Sequence, residues 1–480
     1  MVNHSKKQQH VMIVGGGLAG LSAAEWLLRQ TPAPRITIVE SAHRLGGVIE
    51  TVAREGWLIE RAADSFLSVR PEGIELVERL GLSKELVSIN PEARRALVWS
   101  PRKNNRGDLV PVPPGFRLLA PGRIVPFLRS NVLSVFGRLR VAGERFIPKR
   151  KQHADESLES FAVRRLGQEA FDKLVQPLVS GIWTADPDRL SMAAACPEFF
   201  KMEQDWGSLT RGEKKRIVQV DESSDTSGAR YGQFVSFRYG MQTLIDSLEC
   251  HLRGAGVQII QDKVSSLQHD GTEWQVSLSK QITGTSGVVL AVPASVAAPI
   301  LAKEYSKLSA ELGKIEFAGA AVVSLGFHRQ DITHPLSAAG MIVPRIAGKR
   351  ILAASFSSSK FSGRAPANSV LIRSFIGGAL DTGIAELTDE EVLEEVLLDL
   401  KTTLGRCDRP TMVQVDRWHT SMPQYNLGHV ERIKKIRQFE ATLPSLGLAG
   451  GAYEGVGIPQ VIHSGQVAAA HAIKQISNTQ

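Results

Sequence analysis

A glycine-rich turn between two apolar runs, close to the start of the 480-residue chain, restricts the fold more than any other feature. Residues 10–14 are a short apolar run that ends at three consecutive glycines, and residues 18–30 follow with the apolar spacing of a helix. The sequence "TPAP" ends that helix, and a second apolar run occupies residues 35–39. This order predicts the βαβ unit of a doubly wound parallel sheet, and so an α/β fold.

Three glycines of the turn, Gly15, Gly17 and Gly20, have the G-x-G-x-x-G spacing of dinucleotide-binding proteins. We expect the first to permit a tight turn, the second to let the backbone approach a pyrophosphate, and the third to let helix and strand pack closely. Glu40 ends the second strand, where its carboxylate can accept a hydrogen bond from a ribose 2′-hydroxyl and would repel a 2′-phosphate. The unit therefore predicts a site for NAD or FAD and disfavours NADP.

The length of 480 residues suggests two to four domains, or one interwoven pair of domains. Hydrophobic residues make up 43% of the chain, which is enough for a large core. The three cysteines form no C-x-x-C pair and the twelve histidines show no H-E-x-x-H spacing, so we expect neither a disulfide framework nor a metal. No secretory signal or membrane-spanning run is visible, so we expect a cytoplasmic protein, with peripheral contact to the inner membrane face as an open alternative.

The net charge of +8 is concentrated in one basic stretch, residues 115–151. It contains nine basic residues and the single acid Glu144, so it alone supplies the excess of eight. The basic residues alternate with Leu, Ile, Val and Phe, as in a surface that meets anionic lipid or an acidic ligand. A solvated basic helical face is an equally good interpretation. No nucleic-acid-binding module accompanies the charge, so we expect no nucleic-acid partner.

The dinucleotide-binding domain is predicted to be assembled from separated segments, because a β-meander, a returning strand and a final glycine-rich turn with its helix all lie far from the first βαβ unit. Between them, "AAVVSLGF" and "SVLIRSFIGGAL" predict strands, and "TDEEVLEEVLLDLKTTLG" predicts a capped amphipathic helix. The predicted parts are a dinucleotide-binding domain (1–65, 230–300 and 423–480), a mixed-sheet substrate-binding domain (66–90, 181–229 and 301–422) and a helical basic insertion (91–180).

The residues after Glu40 bear on the choice between NAD and FAD. The sequence "ESAHRLGGVIETV" contains Arg44 and the glycine pair Gly46 and Gly47 before another apolar strand. It resembles the extended signature of the glutathione-reductase-like FAD enzymes, particularly the amine oxidase and porphyrinogen oxidase branch. The resemblance implies that the arginine and the glycine pair wrap the ribose and pyrophosphate of FAD. A hairpin turn with one solvated arginine is the alternative.

Further blocks resemble the oxygen-dependent protoporphyrinogen oxidase family, including its coproporphyrinogen-oxidising bacterial members. They are "SLESFAVRRLGQEAFDKLVQPLVSGIWTADPDRLSMAAACPEF", "FVSFRYGMQTL", "SSSKFSGRAP", "MPQYNLGH" and "GAYEGVGIP". The resemblance extends from Val11 to about Ile473, and general flavin amine oxidases share only the first and last blocks. Two departures are visible: Ala62, Ala63 and Asp64 stand where the family usually has a glycine-proline pair, and Glu454 stands where a basic or polar residue is commoner.

The resemblance implies a reaction of haem biosynthesis with FAD as cofactor and molecular oxygen as partner. Coproporphyrinogen III would be oxidised to coproporphyrin III, or protoporphyrinogen IX to protoporphyrin IX, by loss of six electrons and with formation of hydrogen peroxide. Because the flavin carries such chemistry, the protein is expected to supply orientation, electrostatics and exclusion of water, and no single side chain is assigned as catalytic.

The resemblance also implies the remaining cofactor-binding residues. The turn Gly455-Val456-Gly457-Ile458 leads into a helix, so its backbone N–H groups and the helix dipole can stabilise the negative charge of a reduced flavin. A merely capped terminal helix is the alternative interpretation. Two single residues complete the set: Met241 beside the flavin and Val264 beside the adenine.

A flat apolar macrocycle edged with propionates requires apolar walls and a few basic residues. By resemblance, Ile342 and Phe361 are candidate walls and Arg70 a candidate propionate clamp through a bidentate bond. Each has an equally good ordinary interpretation: Ile342 as a strand interior residue, Phe361 as a core residue, and Arg70 as a surface charge at a helix start. His419 and His429 are expected to serve structure.

Two other functions stay open. The chain could be another flavin oxidoreductase, such as a polyamine oxidase or a phytoene-type desaturase, or a non-catalytic FAD-binding protein. An amine oxidase would need aromatic walls beside the flavin, yet the C-terminal motif offers only Tyr453. The "DSFL" sequence at Asp64 to Leu67 is similar to that of soluble bacterial members of the family, and this resemblance, with the lack of a visible membrane-spanning run, slightly favours coproporphyrinogen over protoporphyrinogen. A neighbouring haem-pathway enzyme is a further candidate partner for the basic stretch.

Overall fold

The computed structural model describes residues 9–102, 107–150, 154–220, 233–407 and 409–474. Its central sheet is parallel throughout and has five strands, in the spatial order Gln258–Gln261, Arg35–Glu40, His10–Val14, Gly287–Leu290 and Leu446–Leu448. The first helix, Leu18–Leu28, and the C-terminal helix, Ile458–Lys474, pack against each other on this sheet. The predicted βαβ unit and the mixed α/β fold are thus confirmed.

Other elements extend the central-sheet domain. An antiparallel meander lies between the helix Gln242–Gly254 and the returning strand of the central sheet, as predicted. The additional strands and helices of this part are Thr51–Arg54, Trp57–Glu60, Ser266–His269, Trp274–Ser277, Ile282–Thr285, Ala294–Leu301, Ser306–Gly313 and His429–Ala441.

A large sheet of seven strands forms the second layer. Its order is Met412–Pro423, Phe317–His328, Ser369–Gly377, Ile351–Phe356, Gly340–Ile342, Ala96–Pro101 and Gly107–Pro111. All neighbours are antiparallel except the pair Gly340–Ile342 and Ala96–Pro101. One face is covered by the helix Asp389–Leu404, whose N-terminus carries a capping box between Thr388 and Glu391. The predicted strands and the predicted capped helix are confirmed here.

Helices cover the other face of the large sheet. They are Ile124–Leu128, Val135–Ala142, Leu158–Leu166, Gln168–Ala170, Gln176–Trp183, Met192–Ala195, Pro197–Trp206 and Leu209–Val220. The helices thus begin later and continue further than the predicted insertion 91–180. Ala96–Pro101 is a strand because its side chains alternate between two cores, with Val98 among the helices and Trp99 on the opposite face.

A small sheet joins the layers. It pairs Phe66–Leu67 and Leu86–Ser88 with Phe234–Phe237. The helix Pro71–Arg79 lies between the first two of these strands and buries Leu76 and Val77 in the core of the central-sheet domain. Within residues 66–90, predicted to belong to the substrate-binding domain, the helix therefore packs on the dinucleotide side, whereas Ile89 packs against Phe361 and Asn90 donates to the carbonyl of Lys360. The division into domains stays a prediction.

Candidate active site

The glycine loop between the first strand and the first helix is as tight as its spacing predicts. Gly15 has φ +104°, and a Cβ built on it would lie 2.4 Å from the carbonyl oxygen of Ala291. A Cβ on Gly20 would lie 2.0 Å from the carbonyl oxygen of Gly15, so the first helix and strand approach too closely for any side chain there. Gly17 differs, because its Cβ would meet only the Cα of Gly47, at 3.9 Å. No other atom of the described residues therefore occupies the space beside the Cα of Gly17.

Glu40 closes the glycine loop from the end of the second strand. One carboxylate oxygen accepts the backbone N–H of Gly16 at 2.6 Å, and the other accepts that of Ala42 at 2.7 Å. The carboxylate is thus fixed beside the loop, at the place where the spacing predicted it.

The second glycine loop lies against the first. Gly46 donates its N–H to the carbonyl of Gly16 at 2.8 Å. Arg44 folds onto its own loop, where it donates to the carbonyls of Leu45 and Ile49 at 2.9 and 3.0 Å. Gly46 and Gly47 have positive φ, as the crowded loop requires. Arg44 therefore holds the loop in shape from within, and a direct contact with FAD stays a prediction.

These two loops fit a dinucleotide. The first helix begins at Gly17 without a side-chain cap and has no acid in its first turn. Its N-terminal N–H groups and positive dipole end are therefore suited to a pyrophosphate. The open space above Gly17 lies at that helix end, where a side chain would intrude on an approaching phosphate.

The C-terminal turn presents backbone groups at another helix start. Gly455 has φ +136°, which favours glycine, and Ile458 begins the C-terminal helix. Val456 packs against the helical core, while the N–H of Gly455 is held at 2.7 Å by the hydroxyl oxygen of Tyr425. The carbonyl of Gly457 accepts a helical hydrogen bond at 2.9 Å. A contact of this turn with the flavin stays a prediction.

Met241 and Val264, the other two predicted cofactor residues, are both buried. The N–H of Met241 donates to a carboxylate oxygen of Glu60 at 2.9 Å, and burial raises the pKa of that carboxyl. Val264 packs in a core with Val14, the last residue of the first strand, and Val39, the last but one of the second. Their places beside flavin and adenine stay predictions.

A cavity of about 230 Å³ lies between the large sheet and the helices. Most of its lining is apolar and comes from both layers, including Phe116, Leu178, Ile342 and Phe375. Its charged lining residues are Asp64, Arg117 and Lys360. An apolar enclosure with a few placed polar groups is typical of a small-molecule site.

Asp64 is the centre of a buried charge cluster at this cavity. Lys360 donates to both of its carboxylate oxygens, Arg373 lies 3.3 Å from one of them, and Ser65 donates at 2.7 Å. Burial alone would raise the pKa of Asp64, but the charges of Lys360 and Arg373 outweigh it and hold the pKa well below its usual range. The carboxyl is therefore ionised at every physiological pH.

The other charged residue of the cavity, Arg117, is committed to protein partners. Its guanidinium binds both carboxylate oxygens of Glu213, at 2.9 and 2.7 Å, and one of Glu198 at 2.5 Å. It also lies 4.5 Å over the ring of Phe199. Arg117 therefore ties the cavity wall to two helices.

The three predicted substrate residues have different locations. Ile342 lines the cavity. Phe361 is buried in a small cluster with Ile89 and is not among the lining residues, although its neighbour Lys360 is. Arg70 is exposed and immediately precedes the helix Pro71–Arg79. Only Ile342 is thus at the cavity, and the substrate contacts of all three stay predictions.

The sequence did not reveal the charged residues of the cavity. Asp64 was noted as a departure from the family pattern and as the start of the "DSFL" sequence, and Lys360 lies inside the quoted block "SSSKFSGRAP"; neither was assigned a role at the site. The two cations of that block, Lys360 and Arg364, among serines and other small residues, were the available signal. Among the described residues, no group of three or more His, Cys, Asp or Glu side chains could hold a metal ion.

Comparisons with known proteins agree with this architecture. The family model described as "Flavin containing amine oxidoreductase" matches residues 18–473. The chain is 34% identical to the coproporphyrinogen III oxidase of Bacillus subtilis (strain 168), over 98% of this chain and 99% of that protein. It is 30% identical to protoporphyrinogen oxidase 1, chloroplastic, of Arabidopsis thaliana, over 92% of this chain and 82% of that protein.

A solved structure from Exiguobacterium sp. 255-15, provisionally described as a protoporphyrinogen oxidase, superposes with a TM-score of 0.83 at 28% identity, and covers 99% of this chain and 100% of that one. Putrescine oxidase superposes with a TM-score of 0.67 at 15% identity, over 97% of this chain and 99% of that one, which shows a shared fold. The fold and the glycine loops define an FAD-dependent oxidoreductase. The chain belongs to the flavin-containing amine oxidoreductase family, in the group that includes the coproporphyrinogen III and protoporphyrinogen oxidases.

Proposed function

We propose that this protein oxidises a porphyrinogen macrocycle, with molecular oxygen as the final electron acceptor. The observation that carries the proposal is the cavity between the large sheet and the helices, which is apolar on its walls and charged at Asp64 and Lys360. Such a site suits a large apolar ring with a few polar groups. The names of relatives that match nearly the whole chain support the same substrate class.

The proposed reaction removes six electrons in three cycles. In each cycle the substrate loses a hydride from a saturated ring position and a proton from elsewhere, and oxygen takes up two electrons and two protons to give hydrogen peroxide. Bound FAD supplies the hydride acceptor. The role of the chain is to enclose the substrate in an apolar cavity, exclude water and fix the orientation of both partners.

The histidines of the matched blocks do not offer a base at the cavity. Burial lowers the pKa of His429 to about 4, and its ring stacks on Tyr425 rather than lining the cavity. His419 is exposed on the strand Met412–Pro423. The proposal therefore keeps the proton acceptor outside these two histidines and assigns no catalytic side chain.

Coproporphyrinogen III is the proposed substrate, ahead of protoporphyrinogen IX. It carries four propionates rather than two, but the two cations of the cavity lining, Arg117 and Lys360, are already paired with carboxylates, so the preference rests on the names of the relatives. Three bacterial relatives that match at least 97% of this chain are named coproporphyrinogen III oxidase. Proteins named protoporphyrinogen oxidase match at 29–31% identity.

The test is anaerobic reduction of the bound flavin by each porphyrinogen, followed by rapid absorbance at the oxidised-flavin band. We expect fast bleaching with coproporphyrinogen III and slower bleaching with protoporphyrinogen IX. Reduction by dithionite serves as the control for a competent flavin. If dithionite bleaches the flavin and neither porphyrinogen does, the proposed activity is wrong, and amines are the substrates to try next.

We also propose that the face formed by residues 123–150 contacts anionic membrane lipid. Phe136 is 84% exposed and Phe146 is 74% exposed. The other exposed apolar side chains of this lipid face are Val125, Leu128, Val135 and Leu139. Exposed apolar side chains among arginines and lysines are typical of an interfacial helix. In the described part of the chain, no helix has the length and apolarity needed to cross a membrane.

Not every basic residue of the 115–151 stretch belongs to this face. Arg117 is buried in its ion pairs, and Arg140 donates to the carbonyls of Arg164 and Arg165. Lys151 lies outside the described residues. The residues that remain are Arg123, Arg129, Arg138, Arg145, Lys149 and Arg150. Of these, Arg138 and Lys149 also form exposed hydrogen bonds to backbone carbonyls, and Arg150 lies 3.5 Å from Glu156.

Sedimentation with lipid vesicles tests the lipid contact. We expect binding to vesicles of phosphatidylglycerol and phosphatidylcholine, and weaker binding to phosphatidylcholine alone, because each Lys or Arg near an anionic surface contributes about 1 kcal/mol. Phe136→Ser with Phe146→Ser should reduce binding, whereas Ile282→Ser, at a site that is 67% exposed elsewhere, should not. Equal binding by both variants would contradict the proposal. Contact with a neighbouring haem-pathway enzyme stays a prediction.

A further inference from the structure

Tyr425 is buried at the junction of three parts of the molecule. Its backbone carbonyl accepts the N–H of Ser191 at 2.8 Å, which ties it to the helices. Its ring lies 4.7 Å from that of Trp183, at the end of the helix whose earlier residues line the cavity. The ring also stacks on His429, at 3.9 Å and 15°. Two ring contacts therefore hold the phenol in position.

The hydroxyl of Tyr425 bridges Gly451 and Gly455, the two ends of the segment that leads into the C-terminal turn. It donates to the carbonyl of Gly451 at 2.8 Å and accepts the N–H of Gly455 at 2.7 Å. A phenol can do both at once, because its oxygen carries one proton and also accepts. Gly455 leads directly into Val456 and Gly457, which precede the C-terminal helix.

We propose that Tyr425 is a positioning residue for the flavin: it holds the turn from Gly451 to Gly455 so that the following backbone N–H groups face the cofactor. The inference rests on the proposed flavin contact of this turn, and not on the identity of the substrate. The contact between Tyr425 and Trp183 also links this turn to the helix Gln176–Trp183, which forms part of the cavity wall.

Loss of the Tyr425 hydroxyl is expected to weaken FAD binding because it changes the turn in the cofactor-free protein. Without the hydroxyl, the carbonyl of Gly451 and the N–H of Gly455 lose buried partners, and the turn relaxes to satisfy them with water. Binding of FAD must then restore the original turn. The cost therefore appears in the dissociation constant of FAD, and misaligned N–H groups would stabilise the reduced flavin less.

The chain supplies a matched control two residues before Gly455. Tyr453 is also buried, and its hydroxyl has no hydrogen-bond partner among the described residues. Its ring faces the guanidinium of Arg437 at 5.1 Å, a contact that phenylalanine retains. Tyr453→Phe thus removes a hydroxyl of equal burial without breaking a hydrogen bond.

The experiment is a titration of the cofactor-free proteins with FAD, followed by the midpoint potential of each protein at saturating FAD. We expect Tyr425→Phe to weaken FAD binding about tenfold, the consequence of one broken buried bridge, and to make the potential more negative. Tyr453→Phe should match the wild type in both. Thermal unfolding of the cofactor-free proteins reports any loss of folding separately.

A third variant separates this inference from the flavin site on which it rests. Gly455→Ala strains the turn directly, because φ is +136° and the new Cβ would lie 2.7 Å from Cγ of Gln460. Weak FAD binding by Gly455→Ala with wild-type affinity and potential in Tyr425→Phe would overturn the role of Tyr425 alone. Unchanged FAD binding by Gly455→Ala would overturn the flavin turn and the inference with it. Neither result depends on porphyrinogen oxidation.

Discussion

Lys360 donates hydrogen bonds to both carboxylate oxygens of Asp64, at 2.8 and 3.0 Å, between residues 296 positions apart in the chain. Asp64 follows the strand Trp57–Glu60, and Lys360 ends a short helical turn that follows a strand of the large sheet. The pair therefore joins the cofactor side of the molecule to the substrate side. It also contributes two of the three charged side chains in the mostly apolar lining of the cavity, the third being Arg117.

Removal of the acid should destabilise the fold more than removal of the lysine. Asp64→Asn leaves Lys360 and Arg373 buried without a carboxylate, and breaking a buried pair in this way costs about 3–5 kcal/mol. Lys360→Met leaves Asp64 paired with Arg373, at 3.3 Å, and should cost less. Urea unfolding of the FAD-saturated proteins at pH 7 measures both losses. An equal or larger loss in Lys360→Met would show that Arg373 does not share the charge.

The same pair predicts a pH dependence. The pKa of Asp64 is lower in the folded protein than the value of about 3.9 for an unfolded chain. Folding then stabilises the ionised form, so the contribution is complete above the unfolded pKa and is lost as the pH falls below it. The stability difference between wild type and Asp64→Asn should therefore be constant above about pH 5 and shrink only below about pH 4. A difference that shrinks already between pH 7 and 5 would contradict this assignment.

Alanine substitutions at two glycines of the same motif should have different effects: one should lower stability, and the other should weaken FAD binding. A Cβ on Gly20 would lie 2.0 Å from the carbonyl oxygen of Gly15, so Gly20→Ala should lower the unfolding temperature even without cofactor. A Cβ on Gly17 has open space, so Gly17→Ala should fold normally and weaken FAD binding by about tenfold or more. Thermal unfolding and FAD titration of the cofactor-free proteins distinguish the two. Wild-type FAD affinity in Gly17→Ala would place the pyrophosphate elsewhere.

The parts of the site that were predictable from sequence are those whose residues lie close together in the chain. The turn Gly15–Gly20 and the acid Glu40 lie within one βαβ unit, so their spacing along the chain determines their arrangement in space. Asp64, Lys360 and Arg373 come from separate segments, and no local pattern relates them before the sheets are assembled. Arg70 was assigned by resemblance alone: the structure places it exposed, immediately before the helix that begins at Pro71, and its contact with substrate stays a prediction.

The fold shows the same division. Apolar runs bounded by turn residues and helical spacing predicted the central sheet, the meander and the capped helix, because each pattern is local. The strand Ala96–Pro101 was missed because its short apolar run, Ala96 to Trp99, has no glycine turn beside it, and periodicity alone does not distinguish such a run from a buried helix segment.

His429 should make the protein less stable as the pH falls from about 6.5 to about 4. Burial lowers its pKa to about 4 in the folded protein, against about 6.5 in the unfolded chain. Within this interval the unfolded chain binds a proton that the folded protein does not, so stability is present above it and is lost as the pH falls, by about 3 kcal/mol in total. His429→Phe retains an aromatic ring against Tyr425 but removes the titration. Unfolding measured from pH 7 to 4 should show a smaller slope in this variant, and identical slopes would contradict the assignment.

Gly181 offers a test of the cavity that leaves the cofactor site untouched. It is exposed on the helix Gln176–Trp183 and lines the cavity, and a Cβ built on it would have only an ordinary contact with Ala353, at 4.0 Å. Gly181→Ala should therefore behave as the wild type, with a slight gain in helix stability. Gly181→Phe would extend a ring across the space that the substrate needs.

We expect Gly181→Phe to raise the KM for coproporphyrinogen III by about tenfold, equivalent to about 1.4 kcal/mol of lost binding, with unchanged FAD affinity. Steady-state peroxide formation measures the KM, and FAD titration provides the control. A loss of FAD binding in this variant would mean that the change has spread to the cofactor loops. Wild-type kinetics in Gly181→Phe would show that the porphyrinogen does not occupy this cavity, because a ring placed across an occupied site cannot be neutral to binding.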